Sequence, residues 1–197
     1  MISKEKFLAI KERYGSVCSW AVWERSGNKP KSNISNMDIF DIYKNNELLE
    51  VLHTDVVMVA LNFSREVAFT DAFMNFHDSS PHGQDYKIRY AIEDTPFYGA
   101  YMTDVIKEFP MLESKGVVSY LRKNPAALRD QIKKFEEELR FIQSDTPTII
   151  AFGKDSYEIL RKNLDDTIYS ALIQVTHYSH YVNLEDYRKG VLQKLNM

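Results

Sequence analysis

The chain has 197 residues, 44% of them hydrophobic and 27% charged, with a formal net charge of −3. That length and apolar share suit one domain with a substantial core, and the mild acidity argues against a generally basic nucleic-acid binder while leaving room for a local basic groove. A single cysteine, Cys18, excludes an intramolecular disulfide, a cysteine-held cluster and a structural zinc site built on cysteines; a buried free thiol is the expectation.

In chain order, Ser3 reads as the cap of a first helix carrying Phe7, Leu8, Ile10 and Tyr14 near one face, with Gly15 as its stop. This opening mixes charge with helical periodicity, so it is expected to be neither a signal peptide nor a membrane span; no apolar run elsewhere is long enough to cross a bilayer, and the expected location is cytoplasmic. VCSWAVW is either a strand or a short helix covering a sheet edge. Ser26 to Asn36 is a loop rich in Gly, Pro, Ser and Asn, and its Lys29 and Lys31 are read as solvated charges that could also reach a phosphate backbone. Residues 38–52 suggest one broken or two short helices. DVVMVALNFS, Asp55 to Ser64, then reads as a buried parallel strand emptying into a loop, with Asn62 and Ser64 at its exit.

Arg65 to Asp85 is a loop long enough to be functional, and it contains FMNFHDSSPHG. DYKIRYAIED follows as a helix and TPFYGAYMTDVIK as a second strand, from about Phe97 to Thr103. Asn124-Pro125 starts a long helix with Leu128, Ile132, Phe135, Leu139 and Ile142 in a stripe. TPTIIAF, GKDSYEILRKNL, YSALIQVTHYS and LEDYRKGVLQKL continue as strand, helix, strand and helix. This alternation predicts an α/β fold: a three-layer α/β/α domain over residues 1–197, with a short, mainly parallel four-stranded sheet and a helical N-terminal part over 1–53 packed on it.

Neither GxGxxG nor GxxxxGK[ST] is present, and GKDS at 153–156 lacks the upstream glycine of a phosphate loop. The histidines are His53, His77, His82, His177 and His180; HYSH has i, i+3 spacing but needs a third ligand from elsewhere, so no metal and no cofactor is expected. Open α/β sheets bind ligands beyond the carboxyl ends of their strands. Asn62, Asp104 and His177 stand at three such ends.

Four strand-end segments together resemble the uracil-DNA glycosylase superfamily, over roughly residues 54–195. VVMVALNFS is similar to its first motif, with Asn62 at the water-positioning place. YMTDVIK resembles a T-N-[VL]-[VL]-K segment, with Asp104 at the base-reading Asn. IIAFGKDSYEIL follows the third strand and helix, and VTHYSHY resembles H-P-S-[P/Y], with His177 and Ser179 in place. The chain departs from the family at Ala60, Phe63, Asp104 and Tyr178, and it has no cysteines for the iron–sulfur cluster of some branches.

The resemblance implies hydrolysis of an N-glycosidic bond on a flipped or damaged base in DNA, single-stranded or extruded from a duplex. Such a reaction needs an aligned water and a donor to the base carbonyl, roles the resemblance gives to Asn62 and His177. The base itself would meet Asp104 and Ser179 and stack on an aromatic, for which Phe73 and Phe76 are both candidates. Each residue also has a plainer reading: a turn-fixing Asn62, a hydrogen-bonded strand-end His177, a capping or ion-paired Asp104, core phenylalanines. The competing function is a non-catalytic member of the fold that binds a nucleotide-like small molecule or a protein.

Overall fold

The computed structural model describes residues 1–24, 37–62, 71–77, 83–107 and 114–197. The proposed loop with Lys29 and Lys31, the strand-exit Ser64, and His82 lie outside them. Five strands form one sheet: β1 (Cys18–Trp20), β2 (His53–Asn62), β3 (Ala100–Ile106), β4 (Thr148–Phe152) and β5 (Ala171–Val175), in the order β1-β3-β2-β4-β5. β3, β2, β4 and β5 run parallel; β1 pairs antiparallel with β3 through Cys18 and Thr103.

The sheet thus has one strand more than the four expected. All three residues of β1 are buried, so the segment shows none of the alternation that marks a half-exposed strand. The second parallel strand also begins later than expected, at Ala100 rather than Phe97. Gly99 turns the chain into it at φ +87°, where a side chain would be strained and its Cβ would collide with the Val51 carbonyl.

Helices cover both faces, for which the alternation of β2 is responsible. Val57, Val59 and Leu61 enter one core; Met58 and Ala60 enter the other. The first face receives α1 (Lys4–Tyr14), α2 (Leu48–Val51), α4 (Ser114–Lys123), α5 (Pro125–Phe141) and α6 (Lys154–Asn163), through side chains such as Phe7, Leu48, Val117, Phe135 and Leu160. The second receives α3 (Tyr86–Ile92) and α7 (Leu184–Lys194), through Ile88, Ile92, Tyr187 and Val191. Burying each large aliphatic side chain is worth about 2 kcal/mol. Ser3 caps α1 by accepting from the Lys6 amide, and Pro125 opens α5 at the position where a missing N–H is harmless. No helix among the described residues is long and apolar enough to cross a membrane.

The crossovers explain the two helix layers. From β2 the chain moves outward to β3 by way of α3 on the second face; from β3 it returns past β2 to β4 by way of α4 and α5 on the first, and α6 continues to β5 on that same face. Opposite directions of travel require opposite faces when crossovers keep one hand. The direction of winding therefore reverses between β2 and β4, a topological switch point of the kind beside which open α/β sheets bind ligands.

One polar group interrupts the apolar stripe of α5. Glu138 is 0% exposed, and its Oε1 accepts from the Tyr101 hydroxyl at 2.7 Å and the Thr103 hydroxyl at 2.9 Å. Its other oxygen pairs with the Lys107 ammonium, which also donates to Thr103. Glu138 thereby ties α5 to β3 behind the strand end that carries Asp104. Removing one partner of a buried ion pair strands the other charge and typically costs about 3–5 kcal/mol, whereas replacing both by apolar groups is often neutral. Glu138→Leu alone should therefore lower the unfolding free energy by about that amount in urea titrations, and adding Lys107→Met should recover most of the loss. Equal instability of single and double variants would contradict this account of the pair.

Candidate functional site

The alternation that builds the two cores also assigns the strand ends. Asn62 follows Met58 and Ala60 on the second face of β2; Asp104 follows Ala100 and Met102 on the same face of β3. Ala60 and Asp104 are register partners, so Asn62 stands one side-chain step beyond Asp104 on the adjacent strand. Val175 belongs to the same core and is level with Phe152, which places His177, two residues on, along the same carboxyl rim. Strands lie about 4.8 Å apart, so Asn62 and His177, with β4 between their strands, are separated by roughly 10 Å. Asn62, Asp104 and His177 therefore share one face and one rim.

The two phenylalanines part company. Phe73 packs in the first core against Phe7 and Phe40, at centroid distances of 5.3 Å each. Phe76 lies in the second, 6.5 Å from the Phe152 ring and 6.4 Å from that of Tyr178. Phe76 is thus on the rim with Asn62 and Asp104, and Phe73 is not. Both have positive φ, 67° and 64°, an uncommon backbone for a bulky residue that survives only where its surroundings fix it.

Those surroundings are polar stitches to β1. The Phe73 amide donates to the Gly15 carbonyl at 2.7 Å, the Ser19 hydroxyl donates to the Phe73 carbonyl at 2.8 Å, and the Asn75 amide donates to the Val17 carbonyl at 3.0 Å. His77 stacks on Trp23 at 4.9 Å, with Nε2 3.0 Å from the Val22 carbonyl and Nδ1 3.0 Å from the Ser19 hydroxyl. Burial pushes the His77 pKa down to about 4, so the ring is a neutral part of the core.

Asp104 is 3% exposed. Its Oδ2 accepts from Asn75 Nδ2 at 2.8 Å, and burial raises its pKa to about 6, against the opposing pull of that hydrogen bond and of Lys107. A buried carboxyl with a raised pKa beside a strand rim is the kind of group that marks a candidate functional site.

His177 is half-buried. Its Nδ1 accepts from the Ser179 amide at 3.1 Å and lies 2.8 Å from the Ser179 hydroxyl. An amide N–H can only donate, so Nδ1 is unprotonated and the neutral ring carries its proton on Nε2. Burial holds the pKa near 4, which keeps that tautomer at physiological pH. The ring stacks on Tyr178 at 4.3 Å, and a side chain at Gly153 (φ +87°) would press against the His177 Cβ from 3.3 Å. The turn closes by a bond from the His180 amide to the His177 carbonyl at 2.9 Å.

Two residues of the rim escaped the sequence reading. Asn75 lay inside the loop singled out for function, but only the fold brings it to Asp104. Lys87 is 5% exposed, and its ammonium donates to the His180 carbonyl at 3.0 Å, clamping the turn that carries His177. Burial lowers its pKa, and among the described residues it has no carboxylate partner. Its signal was available, since Lys87, Ile88, Ala91 and Ile92 form the buried stripe of α3 and a lysine there is out of place.

No family model, characterised protein or solved structure matches this chain. What the chain and its geometry define is a doubly wound α/β domain with an uncharged histidine donor, a near-neutral carboxyl and two amides along one strand rim.

The depressed and raised pKa values act on stability in opposite directions. His77 and His177 bind protons more readily unfolded, so stability falls as pH drops from about 6.5 to about 4. Asp104 binds its proton more readily folded, so its burden is fully present above pH 6 and disappears as pH falls toward 3.8. Asp104→Asn should therefore stabilise the fold by roughly 1–3 kcal/mol above pH 6 and by little near pH 4. Chemical denaturation at a series of pH values checks this; a difference independent of pH would show that the carboxyl does not titrate in this range.

Proposed function

We propose that the carboxyl rim is a binding site for a nucleobase and that the protein hydrolyses the N-glycosidic bond of a flipped or damaged base in DNA, in keeping with its resemblance to the uracil-DNA glycosylase superfamily. The observation that carries this reading is the convergence of Asn62, Asp104 and His177 on one face of one strand rim, beside the switch point between β2 and β4.

The chemistry follows from these groups. Breaking the bond places positive charge on the sugar and negative charge on the departing base, so a donor fixed where the base oxygen becomes negative lowers the barrier more than it binds the substrate. His177 offers a neutral Nε2–H, held in that tautomer by Ser179. The Asn62 side chain, on the same face, orients the attacking water. Phe76, set in an aromatic group with Phe152 and Tyr178, forms an apolar wall for a planar ring, and Lys87 steadies the turn behind His177.

Incubation with single-stranded oligonucleotides carrying one uracil, hypoxanthine or other altered base, followed by alkaline strand scission at abasic sites, tests the activity. Asn62→Ala and His177→Ala should each reduce a detected rate about a hundredfold or more, the usual cost of losing one preorganised group, without loss of folding. Full activity in the double variant would remove both residues from the mechanism. Binding to an oligonucleotide without scission, weakening steeply with salt, would instead favour the non-catalytic reading of the rim.

The contact from Lys87 makes a separate prediction. Lys87→Met should speed hydrogen exchange at the Ser179 and His180 amides and lower any base-excision rate, while Lys87→Arg retains more of both. Unchanged exchange in the Met variant would mean that Lys87 does not hold this turn.

A further inference from the structure

We propose that Asp104, held in place by Asn75, reads the edge of the bound ring, accepting from an amino group or ring N–H when it is ionised and donating to a carbonyl when it is protonated. This rests on the reading of the rim as a base site and names the class of base that the site prefers.

The assignment comes from counting hydrogens. The Asn75 amide nitrogen has two, and both are committed within the protein: one to the Val17 carbonyl at 3.0 Å, the other to Asp104 Oδ2 at 2.8 Å. Val17 is backbone beside β1, and the segment 71–77 is stitched to the same stretch through Gly15 and Ser19, so the amide is not free to turn over. Turning it would set its oxygen against two acceptors. Asn75 therefore cannot donate to a ligand, and Oδ2 of Asp104 is taken. What remains for a ligand is Oδ1, which is an acceptor when the carboxyl is ionised and carries the only exchangeable proton of the pair when it is not.

The groups around Asp104 leave the choice to the carboxyl itself. Along its own strand lies Lys107, and from α5 comes Glu138; the two are paired with each other behind the sheet, so their effects on Asp104 oppose. From β2 its neighbour is Ala60, and the segment 71–77 contributes Asn75 and a neutral His77. On β1 the residue on this face is Ser19, which carries no charge; Cys18 faces the other core. Among the described residues of these elements no cation faces Asp104 directly, and burial raises its pKa to about 6.

Guanosine and inosine are the discriminating pair, since they differ by one amino group and neither changes protonation between pH 5 and 8. With ionised Asp104, the amino group and ring N–H of guanosine meet Oδ1 together, and guanosine should bind about tenfold more tightly than inosine at pH 8. At pH 5 the preference should shrink to about twofold or less. Asp104→Asn keeps an oxygen for Asn75 and turns an NH₂ toward the ligand, so it should show the low-pH pattern at every pH. Nucleoside binding, followed by ligand-observed magnetic resonance, requires no bond cleavage and is therefore independent of whether excision occurs. A guanosine preference that is the same at both pH values, or the same in Asp104→Asn, overturns the edge reader while leaving the base site intact. Failure of both nucleosides, and of uridine and cytidine, to bind either protein would overturn the base site and this inference with it.

Discussion

The burial of β2 on both faces is the constraint from which the rest of the molecule follows. Its central residues, Val57 to Leu61, are almost wholly shielded, so neither face can be left to water. Each face must be covered by helices, and since the crossovers keep one hand, the chain has to leave β2 in one direction and return past it in the other. That reversal makes the switch point, and the last residue of the same strand, Asn62, stands beside it. Core and candidate site are thus consequences of one strand, and the side-chain alternation that fills the two cores also decides which polar residues share a face at the rim.

The polar chemistry of the rim is built by the elements least regular in the fold. A three-residue edge strand and the irregular segment 71–77 are stitched together through Gly15, Val17 and Ser19, and that stitching aims Asn75 at Asp104. Local hydrogen bonds of this kind contribute about 1 kcal/mol each, but leaving any of these buried donors unmatched would cost more. The positive φ of Phe73 and Phe76 shows how strongly the segment is held. One of these aromatics locks it to the first core and the other packs into the second beside Phe152 and Tyr178, so two residues a few positions apart anchor the segment to both faces.

Asp104, His177 and Lys87 are each held at a cost. Burial disfavours the charge on the aspartate and the lysine and keeps the histidine neutral, and none of these changes strengthens the fold at neutral pH. Behind β3, by contrast, Glu138 and Lys107 neutralise each other, with the Tyr101 and Thr103 hydroxyls completing the shell of Glu138. The two faces of one strand therefore carry two kinds of buried charge: a satisfied pair that joins helix to sheet, and a near-neutral carboxyl kept poised at the rim.

Local pattern was enough to determine most of the framework. The apolar run of β2, the stripe of α5 with its Asn-Pro start, and the strand and helix alternation after Thr146 are recorded in residue order, because backbone periodicity depends on neighbours in sequence. Asn62 and His177 were legible at strand ends for the same reason, whereas Asp104, expected just beyond its strand, lies inside β3, which runs on to Ile106. The edge strand β1 stayed open between a strand and a short helix, since a segment buried on all sides shows no alternation. Nor could sequence choose between Phe73 and Phe76, pair Asn75 with Asp104, or set the pKa of a carboxyl. Those depend on which distant segments share a face and how much water is excluded between them, and only the packing of β1, the segment 71–77 and β3 against one another decides that.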